Sequence, residues 1–403
     1  MGGCPDPYSR PEPLIFRTMS EPIYMDHSAT TPVLPEVFEA MQPFFGPRFG
    51  NPSSMHRWGR EARVALDEAR ERVARCLGAR QDEVCFTSGG TEGDNLAVLG
   101  CWHAARTEGR MGLVTTPIEH KAVLAAVHHA AHEGADERIL EVTPDGVVSH
   151  DSATKLIDDT VALVSVMWVN NEIGVIQPVP ELARLAHEHG ALFHTDAVQA
   201  FGKVDVDAAS VPFDMLTISG HKIGAPKGIG AMFIRRGTPL EPLLHGGSQD
   251  RGRRPGTENV AFAVGLARAA ELAVEHRVAE WTRLEALRDR LQGLILDRVP
   301  DAVVHGLGAP RAPHVLSLSV PGVESESLLM ALDLAGVACS GGSACQSGST
   351  LPSHVLVALG VRPDLTRGAV RMSLGALTTD ECVDRVGEIF PRLVNRARGV
   401  AAA

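Results

Sequence analysis

A chain of 403 residues with 44% hydrophobic and 22% charged residues has room for two or three domains, and its composition excludes fibrous and wholly disordered classes. The formal net charge of −11 argues against binding nucleic acid through a general basic surface, so small anionic ligands need a local cationic pocket. Seven cysteines, odd in number and without C-x-x-C spacing, suggest neither a disulfide framework nor a zinc ribbon and fit reduced thiols in the cytoplasm.

Residues 1–20 carry Pro5, Pro7, Pro11 and Pro13 but no apolar run long enough for a secretory segment or a membrane span. They read as a flexible extension, with Met19 available as an alternative start. Residues 23–26 form a short strand, and His27 to Pro32 a polar turn that Pro32 keeps from becoming helix. Ala62, Leu66, Ala69, Val73 and Leu77 recur at helical spacing as a core stripe. From residue 84 the pattern alternates: 84–87, 112–116, 139–142, 161–168, 191–195 and 214–219 read as strands, with helical runs over 94–106, 121–132 and 180–189. Such alternation implies βαβ units, hence an α/β fold whose mostly parallel sheet is covered by helices on both faces. Its ligands bind where strands end and loops begin. Past Arg236 a Gly- and Arg-rich connection leads into helical sequence over 258–298. A strand at 315–320, a helix at 324–335, a Gly/Ser loop over 340–350, a strand at 369–374 and a final helix suggest a second, smaller α+β domain.

The strand at 214–219 runs straight into Gly220, His221 and Lys222, so Lys222 is held at a strand end. A lysine fixed beside another cationic or polarised group tends to lose its proton, and a neutral amine is what Schiff-base chemistry requires. Ser219 and His221 supply donors suited to a phosphate. Ser88-Gly89-Gly90-Thr91-Glu92 follows a strand and opens a helix, which places backbone amides and the Thr91 hydroxyl at a positive helix terminus. This is a phosphate cradle in form, and not a Walker loop. Asp196 follows an apolar strand, with Gln199 three residues on, and a carboxylate there can keep a ring nitrogen protonated. His120, opening a helix, is placed to stack on a flat cofactor and to move protons, and Asn171 offers donors without charge.

Cys345 stands in a run of small residues whose composition suits a hydrated, mobile arm, a setting for a nucleophile that visits two places. Arg371 is odd inside a core strand unless it pairs with an anion such as a substrate carboxylate. Taken singly, each residue has a plain structural alternative: a solvated lysine, a glycine turn with a threonine cap, a capping aspartate or histidine, an incidental surface cysteine. His128 and His132 lack an H-E-x-x-H pattern and read as a solvated helix face, and His187 and His189 are likewise given no metal.

Together and in this order, Ser-Gly-Gly-Thr-Glu (88–92), Glu-His-Lys (119–121), Asn-Asn-Glu-Ile-Gly (170–174), Asp-Ala-Val-Gln (196–199), Ser-Gly-His-Lys (219–222) and Gly-Ser-Ala-Cys (342–345) resemble the cysteine desulfurases. These are pyridoxal-phosphate enzymes of the class V aminotransferase fold, a fold-type I transferase. The long Gly/Ser loop resembles the group that serves iron–sulfur cluster assembly. The resemblance implies a Schiff base of Lys222 with pyridoxal 5′-phosphate, Asp196 paired with the ring nitrogen, His120 stacked on the ring, and Gln199 and Asn171 around the ring hydroxyl and substrate side. It implies that Gly90, Thr91, Ser219, Gly220 and His221 hold the phosphate, joined by Thr257 from the other subunit of a homodimer, and that Arg371 holds the substrate carboxylate. Lys222 would take the α-proton of L-cysteine, and the Cys345 thiolate would accept the sulfur as a persulfide and pass it to an acceptor protein, an iron–sulfur scaffold or a thiolation protein. No intrinsic metal, membrane or direct nucleic-acid contact is implied, with Cys345 able to ligate an iron–sulfur cluster transiently.

Residues 34–265 are expected to form the large cofactor domain, and 21–33 with 266–403 the small domain carrying the cysteine loop. Gly93, Gly341 and Gln346 depart from the commonest family pattern, in which Ser, Ser, and Ser or Thr are frequent. Cys339 reads as a packed structural cysteine. A selenocysteine lyase or an aminotransferase of the same fold, and a binding platform in a sulfur-transfer assembly, are the competing readings.

Overall fold

The computed structural model describes residues 21–341 and 352–399; the N-terminal extension, Cys345 and Gln346 lie outside the described residues. The strands in chain order are β1 (Ile23–Tyr24), β2 (Val84–Thr87), β3 (Gly112–Thr115), β4 (Asp136–Ile139), β5 (Val161–Ser165), β6 (Leu192–Asp196), β7 (Met215–Ser219), β8 (Gly230–Ile234), β9 (Val303–Val304), β10 (Val315–Ser319), β11 (Val337–Ala338) and β12 (Ala369–Ser373). Seven of them make one sheet in the order β2-β8-β7-β6-β5-β3-β4. Pairings from β7 through β4 are parallel, and β8 alone runs antiparallel to both its neighbours. The sheet is thus mostly parallel, as the alternation predicts, with helices on both faces.

Side chains alternate across that sheet. Val84, Phe86, Val114, Leu216 and Phe233 point to one face, where they pack with the helices Arg57–Cys76 and Val179–Glu188. Cys85, Leu113, Met215, Met232 and Ile234 point to the other, against the helices Gly90–Ala105 and Lys121–His132. Each fully buried large apolar side chain contributes roughly 1.5–3 kcal/mol on transfer from water, so strand-end loops project from a rigid floor. The 37-residue helix Val260–Leu296 serves two cores. Its residues from Val260 to Leu272 join the large-sheet core, while Leu284, Leu287, Leu291 and Ile295 pack with the sheet β12-β10-β9. The N-terminal segment belongs with the latter: β1 pairs with β11, and the Ser28 N–H donates to Ser373 Oγ at 2.8 Å.

Two strands of the large sheet depart most from the sequence reading. The strand expected at 139–142 lies at 136–139, because β4 is the sheet edge and is half-exposed, so its charged Asp136, Glu137 and Arg138 carry no apolar signal. β8 is absent from the strands read from the sequence, yet it enters the sheet between β2 and β7. Gly230 permits this. A Cβ there would meet the Ile218 carbonyl at 2.6 Å and Gly89 Cα at 2.9 Å.

Candidate active site

The ends of β2, β6 and β7 and the loops after β3 and β5 surround a cavity of about 350 Å³, lined among others by Thr91, His120, Asp196, Lys222 and Arg371. That is where ligands of open parallel sheets bind. Lys222 ends the single turn Gly220–Lys222 that follows β7, and its Nζ donates to the carbonyls of Ser28 at 2.6 Å and Ala29 at 2.7 Å. The N-terminal turn is therefore a wall of the site, fastened further by Thr31, which donates through N–H and Oγ1–H to the His221 carbonyl.

Asp196 ends β6, and its Oδ1 accepts the Val198 N–H at 2.8 Å. Burial raises its pKa, while His120, the Val198 N–H and Lys222 pull it back down. His120 caps the helix Lys121–His132. Its Nδ1 accepts the Ala122 N–H at 3.2 Å, which leaves the proton of the neutral ring on Nε2. Burial lowers its pKa and Asp196 opposes that shift. His221 is pushed down to about 4 by burial first and then by Lys222 and Lys227, so it offers a neutral imidazole. Its Nδ1 lies 3.1 Å from Thr30 Oγ1.

Gly90 and Thr91 open the helix Gly90–Ala105 and line the cavity together with Ser219 and His221. Backbone N–H groups at that terminus have no intrahelical partner, and the helix dipole favours an anion there. Gly220 lies buried below, where a Cβ would press on Ala225 and Ile229 at 3.0 Å. At Gly93 a Cβ would meet the Thr217 side chain at 2.6 Å.

Gln199 and Asn171 line the cavity, but the Gln199 amide is engaged, with Nε2 donating to the Ser28 carbonyl at 3.0 Å and Oε1 3.2 Å from His314 Nε2. Arg371 sits on β12 and is 1% exposed. Nη1 donates to the Asn171 carbonyl and Nη2 to Asp26 Oδ1, both at 2.8 Å, while Nε is buried with no partner among the described residues. Thr257 is exposed and does not line the cavity of its own chain. Its connection is tied to the site by Arg254, whose Nε donates to Glu92 Oε1 at 3.0 Å.

Sequence reasoning missed Asp94, Glu119, Glu172 and His354. Asp94 is 1% exposed, and its carboxyl oxygen, a ring nitrogen of His120 and an oxygen of Asp196 all lie within 4.8 Å of one another. Burial holds its pKa well above the usual carboxylate range, with Asp196 adding and Thr217 opposing. The signal was available: Asp94 follows Thr91 by three residues, which puts both on one helical face. Glu119 is pushed up to about 8 by burial, against hydrogen bonds from Met167 and Thr116. Glu172 accepts from Ser353 Oγ at 2.5 Å, and His354 Nε2 donates to the Glu119 carbonyl at 2.9 Å. The last two depend on contacts some 180 and 235 residues apart in sequence.

Behind Lys222 lies a second cavity of about 380 Å³, walled by Leu34, Phe201, Trp281 and Leu284, into which Lys203 projects. Burial, and then Lys222, lower the Lys203 pKa to about 8. Asp196, His120 and the N-terminus of the helix Gly90–Ala105 meet Lys222 at the first cavity, and the chemistry is assigned there. Cys339 packs on the small-sheet core, and burial raises its thiol to about 12, which makes it inert, as the sequence predicts.

The family profile for class-V aminotransferases matches residues 23–386, and the chain belongs to that family. It is 43% identical to the cysteine desulfurase IscS of Dictyoglomus turgidum over 383 residues, covering 95% of this chain and 97% of the relative. It is 45% identical to the cysteine desulfurase NifS of Azotobacter vinelandii, covering 94% of each. A solved NifS-like protein superposes with a TM-score of 0.87 at 36% identity, over 93% of this chain and 100% of the other.

Proposed function

We infer that this protein is a cysteine desulfurase, converting L-cysteine to L-alanine with transfer of the sulfur to Cys345, for iron–sulfur cluster assembly or another sulfur-transfer pathway. The observation that carries this reading is the meeting of Lys222, Asp196 and His120 with a helix N-terminus and Arg371 around one cavity, in a chain 43–45% identical to cysteine desulfurases.

The cavity fits pyridoxal 5′-phosphate. Its donors at the helix Gly90–Ala105 suit a phosphate, its buried carboxylate suits a protonated ring nitrogen, and its imidazole suits a flat ring. Gly90, Thr91, Ser219 and His221 would hold the phosphate above the tight turn at Gly220, joined by the partner subunit's Thr257 in a homodimer. Asp196 would hold the ring nitrogen, His120 the ring face, and Gln199 and Asn171 the ring hydroxyl and substrate side. When bound, the cofactor supplies a carbonyl that links to amino groups and a ring that absorbs electron density.

Arg371 orients the substrate carboxylate, and the Lys222 Nζ takes the α-proton. Cys345 Sγ, as thiolate, forms a bond to the substrate sulfur as the carbon–sulfur bond breaks, so L-cysteine and a thiol become L-alanine and a persulfide. Both neighbours of the segment 342–351 stand at the site. Ser340 exchanges backbone hydrogen bonds with Arg371, and His354 lines the cavity. Cys345 follows Gly341 by four residues, a reach of about 14 Å for extended chain. The division into domains 34–265 and 21–33 with 266–403, a cytoplasmic location and a separate sulfur-acceptor protein complete the reading. Among the described residues no helix is long and apolar enough to cross a membrane.

The test is Cys345→Ala. It should keep the cofactor colour and L-cysteine binding but form almost no alanine, and wild type should carry added sulfur on Cys345 and not on Cys339. Undiminished turnover by the variant would leave a lyase or an aminotransferase instead. Borohydride fixation should map the pyridoxyl group to Lys222, not Lys203.

A further inference from the structure

The helix Lys121–His132 turns two exposed imidazoles outward in its last turns, and the structure brings their Nε2 atoms face to face at 3.2 Å. The sequence reading took this pair for a solvated face. Its geometry is more specific. Glu137 Oε2, on the edge strand β4, lies 3.5 Å from His128 Nδ1. A carboxylate facing Nδ1 favours the proton there and so leaves Nε2 as the lone-pair nitrogen, the bias by which proteins orient metal-binding imidazoles.

Two nitrogens each about 2.05 Å from a zinc-sized ion stand about 3.3 Å apart at a tetrahedral angle and about 2.9 Å apart at a right angle. The 3.2 Å separation falls between these. The ring centroids are 4.6 Å apart and the planes 76° apart, so the centroid separation exceeds the nitrogen separation by only 1.4 Å (4.6 − 3.2). Head-on N–H···N bonding would add a full ring width. These rings lie beside each other with their nitrogens converging. The scaffold is firm, since Ala126, Val127 and Ala130 bury the opposite side of the helix and β4 is paired to β3.

We propose that His128 and His132 form a two-nitrogen chelate for a late first-row divalent cation, with Glu137 orienting His128 and water completing the coordination. Imidazole ligands select Cu²⁺, Ni²⁺ and Zn²⁺ over Mg²⁺ and Ca²⁺, which prefer oxygen. The site is independent of the cavity chemistry, so it stands whether or not the desulfurase reading does.

Calorimetric titration of the untagged holoenzyme with Zn²⁺ tests it, read as the difference between wild type and the variants because thiols also take up zinc. His128→Gln and His132→Gln should each remove one binding step or weaken it at least tenfold, and Glu137→Gln should weaken it by about tenfold. Untagged wild type should be retained on immobilised Ni²⁺ and released by imidazole, with both histidine variants retained less. Mg²⁺ should give no step. All three variants should turn over L-cysteine as wild type does, and their unfolding midpoints should match it in the absence of metal, which shows that the fold is kept. Identical zinc isotherms for wild type and both histidine variants would overturn the proposal and leave the 3.2 Å contact as an N–H···N bond.

Discussion

Replacing Arg371 by lysine keeps a positive charge on β12 and removes the planar fork. Of the five N–H groups of a guanidinium, one goes to the Asn171 carbonyl and one to Asp26 Oδ1, each at 2.8 Å, and the Nε–H is buried without a partner among the described residues. Three donors therefore remain for an incoming carboxylate. A lysine ammonium drawn to Asp26 cannot also present a second, coplanar pair. The loss is one charge-assisted hydrogen bond, about 1.5–3 kcal/mol, or roughly 10- to 150-fold in affinity. Because that contact exists before and during the reaction, the change falls on KM with kcat little altered. Initial rates of alanine formation against L-cysteine concentration measure it, with Asp26→Asn beside it as the variant that keeps the fork and loosens its tether. An unchanged KM in Arg371→Lys, or an equal rise in both variants, refutes the assignment of the free donors to the substrate.

Asp196→Asn should lower turnover by about a hundredfold or more, whereas Asp94→Asn replaces a carboxyl that burial biases toward its neutral form and should stay within about tenfold of wild type; equal losses would refute this division of roles. Burial holds His221 and His305 down to about 4 and His194 to about 3. Unfolded imidazoles titrate near 6.5, so for these groups unfolding takes up protons below that pH and the stability they contribute falls as pH drops from about 6.5 toward about 4, opposed by Glu119, whose carboxyl, pushed up to about 8, holds its proton in the folded chain across that window. Across that window the unfolding midpoint of wild type should fall, relative to that of His305→Asn, as pH drops; parallel curves for the two contradict the burial argument. Thr257→Ala should weaken cofactor retention in a homodimer, and sedimentation showing a fully active monomer would count against the shared site.

Much of the site was readable because its residues sit at the ends of strands whose apolar runs are unmistakable. β6 ends on Asp196 and β7 leads into Lys222, and both strands are wholly or almost wholly buried. The helix Lys121–His132 agrees with the reading end to end, which fixed His120 as its cap. What the pattern could not carry was any element without an apolar signature: the charged edge strand β4, and β8 behind its glycines.

Sequence by itself determined the parallel-sheet architecture and the positions of Lys222, Asp196, His120 and Thr91 at strand ends and helix starts, because short-range periodicity decides where an element stops. Only the tertiary structure decided how those positions are used. The turn at Ser28 and Ala29 reaches Lys222 across some 190 residues, and Arg371 meets Asp26 across 345. The Asp94 carboxyl is pushed toward its neutral form only because folding removes it from water beside Asp196, and His128 meets His132 and Glu137 only where a helix end lies against a sheet edge. Such contacts follow from desolvation and from chain crossings, and neither is written in the local order of residues.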